Sequence, residues 1–139
     1  YLELFKELIF IDSKKAVLNS YMNLRNSFSD RDKPELLFKM AKILQDCFLF
    51  EEAVMLYQDC LNMLKENNSY LKIVNMLLGY CLYKLENFKS ACDHFKKAME
   101  HGYMENDIKE FLCWTQEQTS EQEIKNLTRE LINQYSKRK

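Results

Sequence analysis

A twelve-residue offset between small residues occurs twice in this chain: Ala41 to Ala53, followed by Tyr57 and Cys60, and Gly79 to Ala91, followed by Phe95 and Ala98. Superposing the two frames also matches Met40 with Leu78, Leu44 with Leu82 and Phe50 with Phe88, at a period of 91 − 53 = 38 residues. Self-similarity at about 20–50 residues marks a repeat architecture, in which each unit buries its apolar face only against its neighbours. Such a pattern limits the chain to stacked supersecondary units. It says nothing by itself about what they bind.

The units are helical. Only 2 Gly and 1 Pro occur in 139 residues, which removes the punctuation that strands and hairpins need. Apolar residues also recur at three- and four-residue spacing, as at Leu37, Met40, Ala41 and Leu44 and at Ala53, Leu56, Tyr57, Cys60, Leu61 and Leu64. The length suits one domain of roughly 100–150 residues. Because it starts at Tyr1 in an already helical pattern, the chain reads as a piece of a longer protein.

The spacing predicts a short helix over 2–10, a second from Asp12-Ser13 to about 28, and a charged turn from Ser29 to Pro34. Helices follow over about 34–48, 51–66, 70–85, 88–101 and 107–118. Gly102 is the C-cap of one, and Ser120-x-x-Glu123 forms a capping box that opens the last. The divisions are a degenerate pair over 1–33, repeats over 34–69 and 70–105, and a degenerate or capping pair over 106–139.

Residues 78–91, then Phe95 and Ala98, resemble the tetratricopeptide repeat family, and Met40-Ala41 through Ala53, Tyr57 and Cys60 are similar. The small residues let paired helices approach closely, and the aromatic fills the gap toward the next pair. Departures are Asn75 and Leu37 in place of the family's frequent Trp, Leu82 and Leu44 in place of its Tyr, and no closing Pro. The period also exceeds the family's usual ~34 residues, an excess expected to lengthen the helices around Asn67. The resemblance implies an all-α, right-handed solenoid of antiparallel helix pairs, about seven helices in all.

It further implies that the leading helix of each pair lines a concave groove. The groove positions are Glu35, Phe38, Lys42, Gln45 and Asp46, then Ile73, Met76, Tyr80, Tyr83 and Lys84, then Glu110, Trp114 and Glu117. Of these, Phe38, Lys42, Gln45, Met76, Tyr80, Tyr83, Lys84 and Trp114 make up the expected partner-binding set, suited to an amphipathic helix or extended segment of a protein partner that places apolar anchors inside and an acidic group at the edge, beside Lys42 and Lys84. Family members that clamp a chaperone's C-terminal carboxylate use Lys, Asn and Arg at such positions. Here only Lys42 matches.

Charge and chemistry narrow the function. With 20 basic and 21 acidic residues interspersed, no basic face is implied that could neutralise many phosphates, so nucleic acid is not the expected partner. No apolar run approaches the ~20 residues of a membrane span. Cys47, Cys60, Cys81, Cys92 and Cys113 are scattered singly, which reads as small hydrophobes in a reducing compartment and an intracellular, cytoplasmic setting. His94, His101 and Cys92 lack metal-ligand spacing, and the chain has no Gly-rich phosphate loop. Sequons occur at Asn67 and Asn126, the second inside a predicted helix.

The expectation is a non-enzymatic interaction module with no cofactor and no metal. Two alternatives are an oligomerisation segment using the stripe of Ile124, Leu127, Leu131 and Tyr135, and a tail-anchored adaptor of the mitochondrial-fission type, which also uses two such repeats.

Overall fold

The computed structural model describes Asn23 and residues 33–66, 68–103 and 106–138. Apart from Asn23, the helices expected over 2–28 and most of the charged turn after them lie outside the described residues, as does Asn67. Among the described residues the structure is all-helical, with α1 Lys33–Asp46, α2 Phe50–Met63, α3 Tyr70–Lys84, α4 Phe88–Glu100, α5 Asn106–Gln118 and α6 Gln122–Arg138. The chain divides into two compact units at Met63/Leu64.

In the first unit α1 packs on α2. Pro34 stands in the first turn of α1, where its missing N–H costs nothing. The apolar spacing is realised as a buried stripe of Leu37, Met40, Ala41 and Leu44 facing Ala53, Leu56, Tyr57 and Cys60. The Cys60 thiol donates to the Pro34 carbonyl at 3.3 Å, while Phe38 meets the Tyr57 ring edge-on at 6.1 Å between centroids. The end of α2 therefore lies beside the start of α1, and the pair is antiparallel.

The second unit opens with the same kind of hairpin, α3 against α4. Asn75 meets His94, Gly79 meets Ala91 and Phe95, and Tyr83 meets Phe88, so position rises along one helix as it falls along the other. A second hairpin follows, with α5 packed on α6. Its ends are tied by the Tyr135 hydroxyl, which donates to the Asn106 side-chain carbonyl at 2.9 Å.

Turn geometry repeats at the same period as the small residues. Leu49 N–H donates to Leu44 C=O at 2.9 Å and Phe48 N–H to Gln45 C=O at 3.0 Å, which is the Schellman pattern that satisfies the last carbonyls of a helix. Thirty-eight residues later (86 − 48 = 38) Asn87 donates to Leu82 and Glu86 to Tyr83 at the same two distances. Both motifs need a left-handed residue, and both take a non-glycine one, Phe48 at φ 64° and Glu86 at φ 63°. The third such end, closing α4, has Gly102 at φ 96°, the residue type the sequence led one to expect.

Two boundaries differ from expectation. Helix α2 stops at Met63, three residues before the expected end, and α3 begins at Tyr70. The period in excess of the family's is thus taken up in the connection over 64–69 rather than in longer helices. Lys65, Glu66, Asn68 and Ser69 are all exposed, and with the half-buried Leu64 the single apolar residue of the connection, the Asn and Ser types favour turns over helix. At the other end α6 starts at Gln122, and Thr119, not Ser120, organises its entry. The buried Thr119 hydroxyl accepts from Glu121 N–H at 3.2 Å, and Glu121 C=O takes the first helical bond, from Lys125 N–H.

Candidate functional site

The expected groove residues fall on both units, and each unit is described by itself. In the first, Phe38 and Gln45 are half-buried and committed to a core aromatic. Phe38 packs on Tyr57, and the fully buried Tyr57 hydroxyl donates to Gln45 Oε1 at 2.7 Å. Lys42, one turn from Phe38 on α1, is exposed.

The second unit brings four of its five expected residues into one aromatic cluster. Tyr80 and Tyr83 on α3 meet Phe111 and Trp114 on α5: Tyr80–Phe111 at 5.1 Å, Tyr83–Trp114 at 6.4 Å and Phe111–Trp114 at 5.5 Å between ring centroids. Because the contact partner advances along α5 as it advances along α3, these two helices run the same way. Lys84 places its ammonium 5.7 Å from the centre of the Tyr80 ring, a cation–π contact at the edge of the cluster. Burial, and then the neighbouring Cys81, hold the Tyr80 hydroxyl above its ordinary pKa, so it stays a neutral donor beside the Lys84 charge.

Exposure sorts the cluster into foundation and face. Tyr83 and Met76 are buried, whereas Tyr80 is half-buried, Lys84 is exposed and Trp114 leaves 43% of its surface open. Met76 accordingly serves the interior of the chain. A large ring left so open on a rigid helix is a ready anchor, since an indole carries much contact area and loses little rotamer freedom on binding.

Phe111 joins the face to the core, and sequence reasoning passed over it. Its half-buried ring stacks on Phe95 at 5.8 Å and also meets Tyr80, Tyr83 and Trp114. The signal was faint: Phe111 is one of several apolar residues on α5, and only the register between α3, α4 and α5 shows that one ring touches four others.

Residues weighed for other chemistry have structural roles. His94 sits between α3 and α4 with Nδ1 2.9 Å from Asn75 Oδ1, and Asn75 Nδ2 donates to Leu71 C=O at 2.9 Å. Since the Asn75 oxygen can only accept, His94 donates from Nδ1. Burial foremost, and Lys97 next, lower the His94 pKa, with Asp93 opposing. Burial pushes the thiol of Cys60 up to about 11 and those of Cys81 and Cys92 up to about 12, which suits inert packing residues rather than nucleophiles. All five cysteines are free. Among the described residues no group of three or more His, Cys, Asp or Glu could hold a metal ion, and no helix is long and apolar enough to cross a membrane.

The stripe on α6 is largely occupied. Ile124, Leu131 and Tyr135 are buried, with α6 packed on α5 and α4, and Leu127 is half-buried. The Asn126 sequon lies inside α6 with Thr128 fully buried, its hydroxyl donating to Lys125 C=O. Compared with models of known protein families and with curated proteins, the chain matches none.

Proposed function

We propose that this chain is a protein-binding module made of tetratricopeptide-like helix pairs, stacked as a right-handed solenoid. Its partner segment docks on the face formed by Tyr80, Lys84 and Trp114. The observation that carries the reading is the open Trp114 ring, held by Phe111 and Tyr83 on two parallel helices. The repeated turn geometry at Phe48 and Glu86 supports the repeat, and the close Gly79–Phe95 approach supports the packing scheme. The role is one of scaffolding rather than catalysis, in an intracellular setting.

Self-association through Ile124, Leu127, Leu131 and Tyr135 is the weaker reading, because all of these side chains except the half-buried Leu127 are already buried in the single chain. The test is affinity purification with the chain and with a Trp114→Ala/Lys84→Glu variant side by side. Both positions are exposed, so the variant keeps its helicity. A protein retained by the first and lost by the second supports this face; identical retention removes it.

A further inference from the structure

The charges around Trp114 select a class of partner for this face, an inference that rests on the docking role just proposed. Glu110 and Glu117 stand four residues before and three residues after Trp114, which places both carboxylates beside the indole on one side of α5. Both are exposed. The nearest basic residue in sequence, Lys109, is offset around the helix from that side, as the 3.6-residue period requires. The cluster already stacks a cation on one of its rings, Lys84 on Tyr80. Among the described residues no cation of this chain covers Trp114, the ring type with the strongest attraction for one.

We propose that the face takes a peptide segment bearing an Arg or Lys, whose charged group lies over Trp114 between Glu110 and Glu117 while neighbouring apolar residues rest on Tyr80 and Phe111. An acidic segment would meet two carboxylates at the open ring. A purely apolar one would desolvate them without compensation.

The test uses the fact that Trp114 is the single tryptophan of the chain, so fluorescence excited beyond the tyrosine absorption band, with Trp-free peptides, reports on this position alone. A randomised displayed-peptide library is selected on the 139-residue chain, and recovered peptides are titrated while that fluorescence is followed. The expected result is enrichment of Arg or Lys beside apolar residues, a shifted or quenched signal, and binding that weakens with added salt. A Glu110→Gln/Glu117→Gln variant, altered only at exposed positions, should then bind about tenfold more weakly. Peptides that move the fluorescence but are neutral or acidic, or that bind the variant and tolerate salt equally well, overturn the charge class and leave the docking face standing. Failure to recover any peptide that perturbs Trp114 overturns both.

Discussion

The Phe95 ring edge occupies the space that a β-carbon on Gly79 would need: a Cβ there would lie 2.7 Å from Phe95 Cε1, 2.8 Å from Cδ1 and 3.2 Å from the Ala91 carbonyl oxygen. The ring is fully buried and stacked on Phe111, and the carbonyl belongs to the facing helix, so neither yields freely. In a free helix Gly→Ala would gain roughly 1 kcal/mol of propensity. Here the overpacking, about 1–3 kcal/mol, outweighs it. Gly79→Ala should therefore lower stability by about 1 kcal/mol in chemical denaturation, and a gain would show that α3 and α4 are not in this close contact.

Phe48 and Glu86 occupy the left-handed region, which costs an L-residue about 1–2 kcal/mol. Both side chains are exposed, so little packing is lost on removing them. Glu86→Gly should raise stability by about 0.5–1 kcal/mol after the extra chain entropy of glycine is deducted. Phe48→Gly should act in the same direction by less, since it also removes the contact with Phe50. Thermal unfolding of the two variants checks the sign.

His94 predicts a pH dependence. Its pKa in the folded chain lies below the ordinary 6.5, so under acidic conditions the unfolded chain binds more protons than the folded one. Its contribution is fully present above pH 6.5 and is lost as pH falls from there through the lowered folded value. His94→Gln, neutral throughout and still able to donate to Asn75, should flatten that part of the stability–pH curve. An unchanged slope would assign the dependence to other groups.

The cysteines should divide in two under a thiol reagent. Cys47 and Cys113 are half-buried and should label in the native state, while Cys60, Cys81 and Cys92 are fully buried with thiols held at about 11, 12 and 12. Mass analysis of the labelled peptides should show the last three reacting only on unfolding. Fast native labelling of any of these three would contradict its burial.

Much of this was legible in the residue pattern because it depends on size and spacing. Small residues at 41, 53, 79 and 91 with aromatics at 57 and 95 predict close helix pairs, and the structure makes that contact at Gly79. Other features depend on register or conformation, which spacing does not encode. The left-handed turns carry Phe and Glu rather than Gly or Asn, so nothing in residue type announced them. The Asn75–His94 bond and the central place of Phe111 require knowing which turn of α3 faces which turn of α4 and α5. Tyr80, Lys84 and Trp114 are groove positions only as the family resemblance implies, and that Trp114 stays open while Met76 and Tyr83 are covered emerges only from the assembled unit.

The central claim, a partner-docking face at Tyr80, Lys84 and Trp114, is tested most directly by NMR mapping of the labelled chain during titration with a bound partner segment. Shift changes should concentrate on the outer face of α3 and α5, with the Trp114 indole N–H among the largest. Changes centred on α6, or on the open polar depression lined by Glu66, Asn68, Ser69, Lys72 and His101, with the Trp114 signal unmoved, would contradict it.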